Sequence, residues 1–298
     1  MYKSSWLCAA LAFLLLFAVC SSGCISELNP TPNEVKIRGN IISVDPNYIS
    51  NDIIWMLLLK PNDYEPVLYE AIDKYMPNDN PVIEAGCGIG AVSAYINDKL
   101  IYPLDQVSIE PNPYLQPGLL KTLETNNLRC TFLEKAIAYG TDKIEMQVSN
   151  NILSNHVTAI PRENTVLVDT TTFEEVADNA GFSKKTNLTI IMTIVGSEHT
   201  VIQKESEFFK NRVDTVICGV YVDGKANPGT FTAQMQKAGF HEIFSAPDES
   251  SGFTVEVYVK DPSKYEDKPF DAGNEPVETP QETQTAALNV TSPVNETA

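Results

Sequence analysis

The chain is poor in positive charge, in histidine and in long apolar runs. Its 298 residues carry 21 lysines and arginines against 39 aspartates and glutamates, a formal net charge of −18. That deficit argues against nucleic acid or an anionic membrane surface as a partner of the folded body, since both reward clustered positive charge. There are three histidines and six cysteines, with no pair spaced as CxxC, so a zinc site is not expected and no metal is assigned. Cys87, Cys130 and Cys218 read instead as buried free thiols. With 43% hydrophobic residues the chain can build a substantial core, as one large domain or two small ones.

The one long apolar run, Trp6 to Cys20, is fifteen residues, short for a membrane span but suited to a signal-peptide core. Ser21-Ser22-Gly23-Cys24 resembles a lipoprotein processing box, although a leucine would be usual where Ser21 stands. A retained anchor is the competing reading. In both cases Lys3 precedes the run, so the body is expected outside the cytoplasm, attached through an N-terminal anchor or a lipid, and in the cytoplasm if the leader is not functional. Residues 25–50 read as a polar tether. Residues 261–298 hold eight acids, two lysines and almost no large apolar side chain, which reads as a disordered tail. Asn289-Val290-Thr291 and Asn295-Glu296-Thr297 are sequons usable only on an exported chain. Asn187-Leu188-Thr189 opens a buried strand and reads as a chance match.

What remains, residues 51–260, is organised around Pro81-Val82-Ile83-Glu84-Ala85-Gly86-Cys87-Gly88-Ile89-Gly90. Val82 and Ile83 read as a short buried strand, and Ala91 to Ile96 as the start of a helix. Three alternate glycines between them allow positive φ and close approach of a ligand to the backbone. A strand, a glycine loop and a helix N-terminus together gather free N–H groups into a nucleotide-binding corner. About twenty residues on, Gln106-Val107-Ser108-Ile109-Glu110 reads as a second strand ending in an acid able to accept both ribose hydroxyls of an adenosine.

Gly86-x-Gly88-x-x-Ala91 also fits the dehydrogenase fingerprint. However, Glu84 lies two residues before the first glycine. A carboxylate there can face the α-amino group of S-adenosylmethionine and would repel a pyrophosphate. Glu110 is followed by Pro111-Asn112-Pro113. With Glu84, Gly86, Gly88 and Gly90, and with Glu134-Lys135-Ala136 after a third strand, the chain resembles the FkbM-type methyltransferases from about Asp63 to Lys260. The resemblance implies a Rossmann-like class I methyltransferase fold, with seven mainly parallel strands, helices on both faces and a C-terminal β-hairpin. It implies S-adenosylmethionine as cofactor, bound by Glu84, Gly86, Gly88, Gly90, Glu110, Asn112 and Ala136. A small hydroxylated molecule or a glycan is the expected acceptor, and an N-terminal lid over one side of the site is also implied.

Around that corner, helices are expected over 51–59, 64–75, 114–126, 172–180, 197–212 and 230–238. Strands are expected over 129–133, 143–148, 188–194 and 214–222, with a hairpin over 240–245 and 253–260. Residues 150–164, including His156, read as a loop that could hang over the site. Strand 188–194 is where the chain departs from the family. Its pattern there is Lys-Ile-Asp-Val-Glu-Gly-Ala-Glu, and the matching run keeps Gly196 and Glu198 but has Ile191, Thr193 and Val195 in place of the lysine, aspartate and first glutamate. Glu198 with His199 is then the candidate acid–base pair, against the plainer reading of a helix's first turn. Two other readings stay open: an exported methyltransferase-like binding module without catalysis, and an NAD-type oxidoreductase. For the latter, Tyr95 and Lys99 have the spacing of short-chain dehydrogenases but follow the glycine loop too soon.

Overall fold

Order begins earlier in the chain than the tether expectation allows. In the computed structural model, which describes residues 33–47, 49–148, 156–157, 165–182, 184–221 and 228–265, Glu34–Ile37 (β1) and Asn40–Ser43 (β2) form an antiparallel hairpin. Arg38 and Gly39 turn the chain at φ of 47° and 98°, the left-handed pair that a two-residue hairpin turn requires. Val35, Ile37, Ile42 and Val44 are buried. Ser43 N donates to Thr122 Oγ1 at 3.0 Å and Ile41 N to Asn126 Oδ1 at 2.9 Å. The alternation of Val35 with Ile37, and of Ile42 with Val44, is a strand period masked by the polar residues between them.

Two helices follow, Asn51–Leu59 (α1) and Pro66–Tyr75 (α2). Ser50 caps the first through Ile53 N. The second buries Leu68, Tyr69, Ala71, Ile72 and Tyr75, the face that its i, i+3, i+4 apolar spacing predicts. The parallel sheet then starts with Val82–Ala85 (β3), crosses through Ala91–Lys99 (α3) to Gln106–Ile109 (β4), and through Gln116–Thr125 (α4) to Thr131–Leu133 (β5). Every residue of β3 and β4 is buried, as expected of strands covered on both faces.

Between β5 and the fourth strand of that sheet the chain builds a second sheet from Ala136–Ile137 (β6), Lys143–Gln147 (β7), His156–Val157 (β8) and Thr165–Thr171 (β9), in the order β6-β9-β7-β8. The expected strand at 143–148 is β7. Its long partner β9 had no clean period, because Thr165-Val-Leu-Val-Asp-Thr-Thr is only partly buried. His156, expected on a loop, pairs through its backbone with Gln147; residues 150–155 and 158–164 of that expected loop lie outside the described residues.

Helix Phe173–Asn179 (α5) leads to Leu188–Met192 (β10). The single helix expected over 197–212 is two, Glu198–Lys204 (α6) and Ser206–Arg212 (α7). Glu205 causes the break. Its backbone leaves helical geometry (φ −111°, ψ 28°), and its carboxylate accepts from Phe173 N at 3.0 Å, from Glu174 N at 2.8 Å and from the Tyr139 hydroxyl. It thereby satisfies the first donors of α5. Val213–Val220 (β11), Pro228–Lys237 (α8), His241–Asp248 (β12) and Phe253–Val259 (β13) complete the body.

The sheet order is β12-β13-β11-β10-β3-β4-β5, parallel throughout except that β13 runs antiparallel to both neighbours. Counted within the sheet from its β5 edge this is 3-2-1-4-5-7-6 with the seventh strand reversed. Dinucleotide-binding dehydrogenases place a parallel sixth strand where the reversed one stands here. The chain therefore has the Rossmann-like class I methyltransferase fold. Crossovers diverge between β3 and β10, and this switch point positions the site.

The body also ends later than expected. After β13, Pro262–Tyr265 forms a 3-10 turn, the Tyr265 hydroxyl donates to Tyr75 O at 3.2 Å, and the two rings lie 5.8 Å apart. The leader through residue 32 and the tail from residue 266 lie outside the described residues. Truncation after Tyr265 is expected to leave the melting temperature unchanged within about 1 °C. Truncation after Lys260 removes the Tyr75 contact and should lower it by roughly 2–4 °C, the equivalent of about 1 kcal/mol in a domain of this size. Calorimetric melts of the two truncations check this.

Candidate functional site

The three glycines serve three different purposes. Gly86 (φ 86°) lies so close to the end of β10 that a Cβ would stand 2.3 Å from Thr193 O. Gly90 (φ 81°) begins α3, where a Cβ would meet Leu119 Cδ1 at 2.6 Å. Gly88 (φ 55°) has nothing within 4 Å of the same position and faces open space on the cleft wall. Two of them therefore close the packing around β3, and the middle one admits a ligand to the backbone.

Glu110, immediately after β4, holds this loop. Its Oε2 accepts from Gly88 N at 2.8 Å and its Oε1 from Asn112 N at 2.9 Å. Asn112 is buried, and its Oδ1 accepts from Tyr114 N at 3.0 Å. Burial raises the Glu110 pKa while the two backbone donors lower it. Each carboxylate oxygen can accept a second hydrogen bond, so Glu110 can serve the loop and two ligand hydroxyls at once.

A cleft opens at the carboxyl ends of β3, β4 and β10. Ala85, Gly86 and Gly88 line it on one side, Glu110 and Pro111 with Lys135, Ala136 and Ile137 on another. Thr193, Val195 and Ser197 come from beyond β10, Phe253 from the start of the reversed strand, and Tyr64 and Glu65 from the entry to α2. Of the residues singled out in the sequence, Gly86, Gly88, Glu110 and Ala136 meet here. Lys135 is the sole cation among the described lining residues.

Glu84 does not line the cleft. Strand alternation turns it away from the side that Ala85 presents, and its Oε2 accepts from Ser93 Oγ at 2.6 Å and Ser108 Oγ at 2.7 Å. Burial pushes this carboxyl up to about 7 against those two donors. It ties β3, β4 and α3 together behind the loop. Asn112 and Gly90 likewise support the lining without belonging to it.

Glu198 and His199 are also absent from the described lining. Glu198, the first residue of α6, folds back so that Oε1 accepts from Gly196 N at 3.2 Å, while Oε2 is buried with no hydrogen-bond partner among the described residues. Burial pushes it up to about 7. The His199 ring packs edge-on against Phe231 at 5.3 Å, and burial lowers its pKa. The two belong to the packing of α6 on the body, beside Val201 and Ile202. Val195 does reach the cleft, at φ 33°, a strained conformation for a β-branched residue. Cys87 and Cys218 are buried and free, and Cys130 is free and half-buried. Tyr95 and Lys99 face the outer side of α3: the Tyr95 hydroxyl donates to Asp73 at 2.7 Å and Lys99 covers the Tyr95 ring at 4.5 Å.

The sequence reading missed Tyr64, Glu65 and Phe253. Glu65 has the left-handed backbone (φ 46°, ψ 46°) and precedes the helix-starting Pro66. The available signal was an acid directly before a proline at a helix start, which marks a helix entry but does not say what it faces.

No protein-family model matches the chain, and no curated protein matches it closely enough to be a relative. Among solved structures it is similar to magnesium protoporphyrin IX methyltransferase from Synechocystis PCC 6803 with bound SAM, at 10% identity over 72% of this chain and 85% of that one, TM-score 0.42. It is similar to M. jannaschii TYW2 in complex with AdoMet at 14% identity over 78% and 87%, TM-score 0.42. A protein of the NADB-Rossmann superfamily from Streptococcus agalactiae matches at 7% identity over 64% and 67%, TM-score 0.41. Likeness at this level does not choose between adenosyl ligands.

The glycine geometry predicts an ordering of variants. Gly86→Ala forces the Thr193 carbonyl just past β10 to move and should cost about 3 kcal/mol or more, whereas Gly88→Ala meets only its backbone strain, about 1–2 kcal/mol. Chemical denaturation of both variants checks the order, and equal losses would contradict the assignment.

Proposed function

We propose that the protein is an S-adenosylmethionine-dependent methyltransferase of FkbM type, acting on oxygen of a small hydroxylated or glycan acceptor. The observation that carries the reading is Glu110, fixed by Gly88 N at the rim of a cleft whose adjoining loop position is open. The residues fit an adenosyl group. Glu110 has lone pairs left for the ribose hydroxyls, and Pro111, Ala136 and Ile137 supply apolar walls for a base. A pyrophosphate would enter a cleft that two carboxylates and one lysine line, which disfavours NAD. The position of Tyr95 and Lys99 on the outer side of α3 removes the remaining support for an oxidoreductase.

When bound, the cofactor's sulfonium supplies an already activated methyl group. The chain's part is then to align the acceptor, exclude water and take up a proton. Tyr64, Phe253 and Val195 give an apolar mouth, and Ser197 and Thr193 offer hydroxyls beside it. Glu84, Gly90 and Asn112 act from behind the lining, by fixing the strand, the helix start and the Glu110 turn. Glu198 and His199, placed away from the described lining, favour a second reading: a methyltransferase-like module that binds the cofactor without turning it over. The apolar leader with Lys3 before it and the tail sequons support a body held outside the cytoplasm by an anchor or a lipid.

Calorimetric titration of the full-length protein tests the assignment. S-adenosylmethionine and S-adenosylhomocysteine should bind more tightly than NAD, and Glu110→Ala should weaken them by roughly 1.5–3 kcal/mol, the scale of a lost charged hydrogen-bond partner. Tighter binding of NAD would overturn the reading. Binding without methyl loss to any offered acceptor would favour the module.

A further inference from the structure

The cleft contains one acid that its surroundings leave unused. Glu65 is 7% exposed, lines the cleft, and accepts no hydrogen bond and joins no salt bridge among the described residues. Its place before α2 would ordinarily make it the cap of that helix. Asp248, at the end of β12, caps the helix instead. Its Oδ2 accepts from Val67 N at 3.1 Å, and its Oδ1 accepts from Ser250 N at 3.0 Å and Ser250 Oγ at 2.6 Å. Ser250 Oγ in turn accepts from Glu65 N at 3.0 Å. The Glu65 backbone is thus pinned in a left-handed conformation by the hairpin, while its side chain is released to the cleft.

The groups that face it are mostly acidic. Asp248 of the hairpin and Glu84 of β3 repel its charge, Tyr64 and Tyr69 flank it on its own segment, and Glu110 and Lys135 lie elsewhere on the cleft lining. Arg38, from the β1–β2 turn, is engaged over the Tyr69 ring at 5.1 Å. Burial first, then Asp248 and Glu84, push the Glu65 carboxyl up to about 8. A buried strained acid with no cation beside it costs stability unless something bound there offsets it.

We propose that Glu65 is the counter-ion of this cleft, a specificity-determining residue that gives up its proton to solvent when a ligand brings a positive charge in. It rests on the cofactor assignment above and deepens it. A protonated Glu65 and a cationic ligand become an ion pair and a free proton, so charge and atoms balance. The same device rejects anionic ligands, for which the carboxyl would have to stay protonated. The positive charge can be the cofactor's sulfonium or its α-ammonium, and the choice of probe separates them.

The sign of the pH dependence follows directly. Bound cation lowers the pKa of Glu65, so affinity rises with pH below its free value and levels off above it. With the full-length protein at pH 7, S-adenosylmethionine should release protons, at most one for each ligand bound, measured as a calorimetric heat that scales with the buffer's ionisation enthalpy. 5′-Methylthioadenosine, which carries neither cation, should release none. Equal release with S-adenosylhomocysteine assigns the ammonium, and release with S-adenosylmethionine alone assigns the sulfonium. Glu65→Gln should abolish the release and keep the melting temperature. Should that variant not fold, the wild-type pH series decides: S-adenosylmethionine affinity climbing by up to about tenfold per unit between pH 6 and 8 against a flat profile for methylthioadenosine. Buffer-independent heat, a flat profile for the charged ligand, or release that survives Glu65→Gln overturns the proposal while leaving the cofactor assignment standing. No heat with any adenosyl ligand removes both.

Discussion

The contact between the Glu110 carboxylate and Gly88 N, 2.8 Å long, is what the rest of the site depends on. It joins the end of β4 to the loop that follows the neighbouring β3, beside the point between β3 and β10 where the sheet's crossovers diverge. The loop can take that shape only because Gly86 lets β10 close in and Gly90 lets α4 close in. Gly88 is then left with its N–H on the carboxylate and its open side toward the cleft. One oxygen of Glu110 serves each backbone donor, and each keeps a lone pair for a ligand.

The buried acids divide by what they hold. Glu84 joins β3, β4 and α3 through two serines, Glu205 caps α5 and breaks the helix it would otherwise extend, and Asp248 caps α2. All three turn their oxygens to protein donors, which is how a negatively charged chain keeps carboxylates inside at tolerable cost. Glu65 differs in having no such donor, and Glu198 in having one oxygen unsatisfied. Of these two only Glu65 lines the cleft, which separates an acid available to a ligand from one held within the packing.

Much of this was legible in the sequence. Val82–Ala85, the glycine loop and Glu110-Pro111-Asn112 are local signals, and local turns and strand ends can be read from neighbours in the chain. Strands β10 and β11 were legible because burial on both faces gives them apolar runs, Ile190-Ile191-Met192 and Val216-Ile217-Cys218. The β1–β2 hairpin and β9 were not, since half-buried strands with polar residues between give a weak period. The break at Glu205 could not be foreseen, because its cause is a partner in α5, far along the chain. The surroundings of Glu84 were hidden for the same kind of reason. Its spacing from Gly86 suggested a ligand contact, but which face of β3 it occupies depends on where Ser93 and Ser108 lie. Glu198 and His199 stand at the start of α6, and the packing of that helix takes them from the described lining. Glu65 was invisible because its role comes from Asp248 and Ser250, across the body on the closing hairpin.

The assignment stands or falls on how an adenosyl ligand sits against Glu110. A crystal structure of the protein with S-adenosylhomocysteine measures this directly. Both ribose hydroxyls are predicted within about 3 Å of the Glu110 oxygens, with the base against Pro111 and the Gly88 turn unchanged. A ligand bound elsewhere, or one whose ribose turns away from Glu110 toward another donor set, would contradict the assignment.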